Sequence, residues 1–218
     1  MHYPQLPDPG GWDVRISNGW TIADDWLCTE TGPVSDVHFW VSWADDVVGN
    51  INRIHLSVHS NIPKGPDDWS IPGDELWARD FDPALFVVRP YGDGPQGWFE
   101  PPETFNEQDH DLFFQVNVTD IVDPFIQQEG EMYWLDITAE TEGGVLGWKT
   151  SGSEHFMDDA TYLEPTGRWL ELRDPLTQES LDMAFVVNVP EPGSCLLLVI
   201  GAAAGLCVVW RRRRARTA

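Results

Sequence analysis

The chain has 218 residues and a formal net charge of −23, and five of its thirteen basic residues (Arg211, Arg212, Arg213, Arg214 and Arg216) lie at its end. Residues 1–194 therefore carry 8 − 36 = −28, a charge that disfavours nucleic acid and anionic lipid as partners of the body and leaves divalent cations and neutral polymers. Twelve Trp, ten Phe and four Tyr are too many large apolar rings for a solvated acidic tail, so the body folds.

In chain order, residues 1–11 read as a Pro/Gly-rich leader or truncated start. Met1 to Trp12 (MHYPQLPDPGGW) has neither a basic n-region nor an apolar h-region, so the expectation is a true start further upstream or a fragment. From Trp12 to Val189 the pattern is that of strands. In VHFWVSW, Val37, Phe39, Val41 and Trp43 share one face, and His38, Trp40 and Ser42 the other. Ile54, Leu56 and Val58 repeat the alternation, as do Leu112, Phe114, Val116 and Val118, then Tyr133, Leu135 and Ile137, and finally Leu181, Met183, Phe185 and Val187. Stretches such as NIPKGPDDWSIPGD and RPYGDGPQGWFEPPE supply the turns. Only Asp123 to Glu131 suggests a helical turn. The predicted fold is all-β, one antiparallel β-sandwich of jelly-roll type over 12–189.

Residues 190–218 differ in kind. Cys195 to Trp210 is an uncharged run, CLLLVIGAAAGLCVVW, and Arg211 to Arg214 follow at once. With Pro192 to Ser194 included and Arg211 snorkelling, the run predicts a transmembrane helix over about 195–210. The positive-inside bias then places the arginines in the cytoplasm and the acidic body across the membrane.

Pro190-Glu191-Pro192, the apolar span and the Arg cluster together resemble the PEP-CTERM sorting signal of bacteria that make extracellular polysaccharide. The resemblance implies an exosortase as a partner and delivery of the body to the envelope or matrix. The body, through ADDWLCTETGPVSDVHFWVSW (23–43), GDELW (73–77), GWKTSGSEHFMDDA (147–160) and WLELRDPL (169–176), resembles a domain of unknown function from secreted proteins of planctomycete-like bacteria. That resemblance implies export and a β-rich fold, and no chemistry.

The candidate sites follow from residue type. Acid pairs stand at Asp24-Asp25, Asp45-Asp46, Asp67-Asp68 and Asp158-Asp159, with Asp109 and Asp111 of similar kind. Glycoside hydrolysis needs two carboxyls facing across a gap, which neighbours on a strand do not provide. Turn-forming aspartates and calcium ligands are the other two readings. His55 and His59, four apart on a strand, lie about 13 Å from each other and do not share a metal; His38 is a cross-strand neighbour at most. Asn117 to Thr119 spells a glycosylation sequon. Cys28, alone in the body, reads as a small core residue. Trp12, Trp20, Trp26, Trp69, Trp77 and Trp98 either stack on sugar or plug the ends of the sandwich. The expected function is a non-enzymatic protein of the envelope or matrix that binds carbohydrate or matrix polymer without a cofactor; the alternative is a secreted glycan hydrolase.

Overall fold

A computed structural model describes residues 2–65, 69–152 and 158–190. The predicted transmembrane helix lies outside these residues; among them no helix is long and apolar enough to cross a membrane.

Fifteen strands follow one another: β1 His2–Gln5, β2 Trp12–Arg15, β3 Ile22–Leu27, β4 Gly32–Pro33, β5 Asp36–Trp43, β6 Asn50–Ile62, β7 Ile71–Phe81 and β8 Phe86–Glu100. Then come β9 Thr104–Val118, β10 Ile126–Gln127, β11 Met132–Glu142, β12 Leu146–Lys149, β13 Thr161–Leu163, β14 Trp169–Glu171 and β15 Phe185–Asn188. The body is all-β with two main sheets. One has the order β1-β15-β5-β12-β2-β8-β9 and the other β14-β13-β3-β11-β6-β7. Between them, Phe39, Val41, Val116, Trp148 and Phe185 of the first face Ile22, Trp26, Leu56, Leu135 and Ile137 of the second, all within one buried cluster. These are the positions that a period of two assigns to one face.

Four expectations need correction. The sheets are antiparallel except where Trp12–Val14 runs parallel to Gly97–Phe99. The segment Asp123 to Glu131 is not helical: Asp123 and Gly130 have positive φ, and Ile126 and Gln127 pair with Pro33 and Gly32. Leu112 is exposed while Phe113 is buried, because the opposite face of β9 is covered too: Phe113 packs with Trp40, Ala184 and Val186, whereas Phe114, Val116 and Val118 keep the inter-sheet side. At the other end of the chain, His2–Gln5 pairs with β15, so residues set apart as a leader contribute a strand.

The first sheet also closes on itself. β5 pairs with β9, β9 with β8, β8 with β2, β2 with β12, and β12 with β5. The face of β5 that alternation leaves over is consequently covered too, and Trp40 packs with Phe113, Ala184 and Val186 in a second apolar cluster. Each strand of the ring contributes one polar side chain to its interior: Asp13, Ser42, Gln96, His110 and Lys149, all buried. The Lys149 ammonium donates to Asp13 Oδ2 at 3.1 Å and to Gln96 Oε1, and Ser42 Oγ donates to the same Gln96 oxygen at 3.4 Å. His110 joins Asp13 Oδ2 through Nε2 at 3.0 Å and Asp109 Oδ2 through Nδ1 at 3.1 Å. Gly147 makes room for this packing, since a Cβ there would come within 2.7 Å of the Trp98 ring.

Burial of the Lys149 and Asp13 charges is sustained only by their pairing, and removing one partner strands the other. Lys149→Met is expected to cost about 3–5 kcal/mol in urea unfolding monitored by tryptophan fluorescence. A loss below about 1 kcal/mol would show that the pair behaves like a surface ion pair.

Candidate functional site

The acid pairs separate into two kinds. Asp45 and Asp46 both have φ of 54° and turn the chain between β5 and β6. Asp46 accepts from the amides of Asp111 at 3.0 Å and Leu112 at 2.9 Å, and Asp109 accepts from the Asp45 amide at 2.8 Å. These carboxylates clamp the turn to β9, the ordinary use of Asp in a loop. Asp67 and Asp68 lie outside the described residues.

Asp24 and Asp25 are different. Adjacent strand residues, they leave β3 on opposite faces, yet neither is exposed. Asp24 is satisfied by two backbone amides, Met183 at 2.6 Å and Asp25 at 2.8 Å. Neither oxygen of Asp25 meets a donor at full hydrogen-bond geometry, although the Asp158 backbone amide lies near enough to act on the carboxyl. β13 pairs with β3 only at Ile22 and Ala23; beyond that point the edge of β3 is met by Gln5, whose Nε2 donates to the Asp25 carbonyl at 3.3 Å. Burial pushes the Asp25 carboxyl up to about 9, helped by the charge of Asp158 and then of Asp182 and Asp159, while the Asp158 amide pulls the other way. Burial and the charge of Asp182 likewise raise Asp24. Asp158 itself accepts from Ser70 Oγ at 2.6 Å and pairs with Lys64 at 3.2 Å. Among the described residues, no three His, Cys, Asp or Glu side chains stand together as a ready metal-ligand set.

The histidines occupy separate places. His55 pairs with Asp80 at 2.8 Å, and His38 bridges Asn117 at 2.7 Å and Asn188 at 3.1 Å, which also engages the sequon asparagine. His59 Nε2 lies 2.9 Å from both Ser57 Oγ and Asp136 Oδ2, and Nδ1 lies 3.1 Å from the Gly73 carbonyl. Ser, His and Asp thus meet, but not as a nucleophilic triad. The serine and the aspartate share one nitrogen, whereas a triad places them on opposite nitrogens. An acceptor at each nitrogen favours the protonated imidazole: burial lowers its pKa, but the hydrogen bond and charge of Asp136 outweigh that and raise it.

Of the six singled-out tryptophans, Trp12, Trp26 and Trp98 are buried. Trp77 is half-buried and donates to the Asp123 carbonyl at 3.0 Å; Trp20, beneath Arg15, and Trp69 are also half-buried. Cys28 is buried, and its thiol donates to the Glu30 carbonyl at 3.1 Å. In the sorting segment, Val189 is buried and occupies the space where Gly32 would carry a Cβ, at 2.5 Å, and Pro190 is exposed. Glu191, Pro192 and Arg211 to Arg214 lie outside the described residues.

Sequence pattern missed Asp13, His110, Lys149, Gln5 and Asp182. The only advance signal was Lys149, one of two lysines in the chain and placed next to Trp148 in a strand-like run.

Comparison with known families gives two matches. A domain of unknown function, DUF7901, matches residues 1–188, and the PEP-CTERM protein-sorting motif matches residues 188–214. No curated protein matches the chain at a significant level.

A group whose folded pKa is raised stabilises fully below its unfolded pKa, and that contribution is lost as pH rises through the folded value. The His59–Asp136 contribution is therefore present below about pH 6.5 and declines above it. Urea unfolding of the native protein and of His59→Gln from pH 5 to 9 should show their stabilities converging as pH rises; a constant difference would contradict a protonated His59.

Proposed function

This chain belongs to the DUF7901 family and carries a PEP-CTERM sorting motif, and from that premise we propose that it is a non-catalytic, surface-displayed module that contacts carbohydrate or another matrix polymer. Proteins with this motif are exported and sorted to the cell surface, and the motif implies processing by an exosortase. In the proposed arrangement the apolar run over 195–210 holds the body at the membrane, with Arg211 to Arg214 on the cytoplasmic side, until that processing. The body is a jelly-roll-like sandwich, a connectivity supported by the way the chain passes repeatedly from one sheet to the other.

The observation that carries the non-catalytic reading is the use to which the acids are put. Asp45, Asp46 and Asp109 accept backbone amides, and Asp24 and Asp25 are shut from solvent; a retaining or inverting glycosidase needs two carboxyls open to the sugar from opposite sides. Polymer contact is supported by the rings that remain at the surface, Tyr91 and Phe105 on the β8–β9 hairpin, whose faces suit sugar CH groups.

The full chain in detergent should be retarded in affinity gels cast with extracellular polysaccharide and should release no reducing ends from it. Release of reducing ends would replace this reading with a glycan hydrolase. Unretarded migration across a panel of neutral and acidic polysaccharides would remove the polymer ligand.

A further inference from the structure

The interior of the ring in the first sheet holds a reactive combination that an ion pair alone does not use. Lys149 is wholly buried, and its Nζ touches two groups, the Asp13 carboxylate and the Gln96 side-chain amide. That amide is held in one orientation. Its Nε2 donates to the carbonyls of Gly94 at 3.0 Å and Asp111 at 2.7 Å, which leaves its oxygen turned toward the ammonium and Ser42 Oγ. A nitrogen that donates to an amide oxygen stands within about 4 Å of the amide carbon, because the C=O bond adds only about 1.2 Å. Reacting atoms in near-attack geometry are about 3–3.5 Å apart. The Phe113 ring lies 5.2 Å from the same nitrogen and helps to keep water away.

A lysine amine is a nucleophile only without its extra proton, and here the proton has a destination. Asp13 Oδ2 accepts from Lys149 and lies 3.0 Å from His110 Nε2, whereas Asp13 Oδ1 meets no donor. An ion pair shut from solvent has a neutral alternative, amine beside carboxylic acid, reached by moving one proton along the hydrogen bond.

We propose that Lys149 and Gln96 become joined by an intramolecular amide crosslink that the folded chain forms by itself. Asp13 takes one proton from the ammonium, and the freed Nζ attacks Gln96 Cδ. The amide oxygen carries the developing negative charge, with the Ser42 hydroxyl at 3.4 Å to follow it. Asp13 passes its proton to Nε2, the Cδ–Nε2 bond breaks, and ammonia departs. A second proton shed by Nζ takes the same route, so ammonia leaves as ammonium and Asp13 ends as a carboxylate. One C–N bond forms, one breaks, and no oxidant or cofactor takes part. The Asp111 carbonyl holds the leaving nitrogen, and Asp111 lines, with Pro95 and His110, a surface groove of about 310 Å³ through which ammonia escapes.

The network described for the fold is the chain before reaction. Afterwards the new amide N–H faces Asp13, and His110 still pairs with it: burial lowers the pKa of that imidazole, but the hydrogen bonds and charges of Asp13 and Asp109 raise it overall. The link ties β12 to β8 across β2, which pairs with both. It joins positions 53 apart and so restricts the unfolded chain as a disulfide does, in a body whose single cysteine is Cys28. This proposal goes beyond the polymer-binding reading and stands without it.

The test is a peptide map of the full chain, folded in detergent, then denatured and cleaved after glutamate. That cleavage separates a peptide ending at Glu100 from one beginning at Gly143. In tandem mass spectrometry the two should be recovered as one branched species, lighter than their sum by one ammonia, with the branch at Gln96 and Lys149. Gln96→Met and Asp13→Asn should yield the two peptides separately. Recovery of unmodified Gln96 and Lys149 from the folded native chain would overturn the proposal. A branched species lighter by one water, with the link on Asp13, would overturn it too, and undiminished linking in a folded Asp13→Asn would remove Asp13 from the step. Should either variant fail to fold, the map of the native chain still decides.

Discussion

The ion pair between Lys149 and Asp13 is the contact on which the arrangement of the first sheet depends. A body that carries −28 over residues 1–194 has few cations to spare, and it places one of its two lysines where no solvent reaches. There the ammonium meets Asp13 and Gln96, while His110 joins Asp13 to Asp109. Two acids face two basic groups, so the interior is close to neutral even though the surface is not. Such a network is poor evidence of net stability, since a well-packed apolar core of similar volume often does better. What it does supply is a set of directional contacts drawn from all five strands of the ring. The long β8–β9 hairpin, whose ladder shifts register more than once, is thereby held in one alignment over β5.

The closed ring also accounts for the burial of both faces of β5. In an ordinary sandwich one face of each sheet meets the core and the other meets water. Here Phe39 and Val41 face the second sheet, and Trp40 and Ser42 face the inside of the ring. The second sheet shows a related economy at β3, where Asp24 is consumed by the Met183 and Asp25 amides and Asp25 is left over. The two sheets thus handle buried acid differently: the first matches it with protein cations, and in the second burial raises the carboxyls of Asp24 and Asp25 and favours their neutral form.

Much of the second sheet and of the inter-sheet core was legible in the sequence, because a half-buried strand writes its burial as a period of two. Val37, Phe39, Val41 and Trp43, then Ile54, Leu56 and Val58, then Tyr133, Leu135 and Ile137 line the inter-sheet core at that spacing, although the other faces of β5 and β11 are buried as well. The β8–β9 hairpin was not legible to the same degree. Alternation assigns a residue its face but not the cover that face receives, so Leu112, on the side of Val116, is exposed while Phe113, on the side closed by the ring, is buried. The polar ring was hidden for another reason: Asp13, Gln96, His110 and Lys149 are scattered across 136 positions, and only closure of the sheet unites them. The Asp24-Asp25 pair was visible as a motif, but the difference between its members follows from β13 ending its pairing at Ala23, which no local pattern encodes. The sorting segment was legible because its parts are contiguous.

The central claim, that the buried pair aligns the hairpin, is tested most directly by native-state hydrogen exchange on the native protein and Lys149→Met. Loss of the ammonium should remove protection first from the amides of β8 and β9, while those of β3, β6 and β11 keep theirs, since local opening follows the contacts that are lost. A uniform fall in protection across both sheets, or unchanged protection in β8 and β9, would contradict the account.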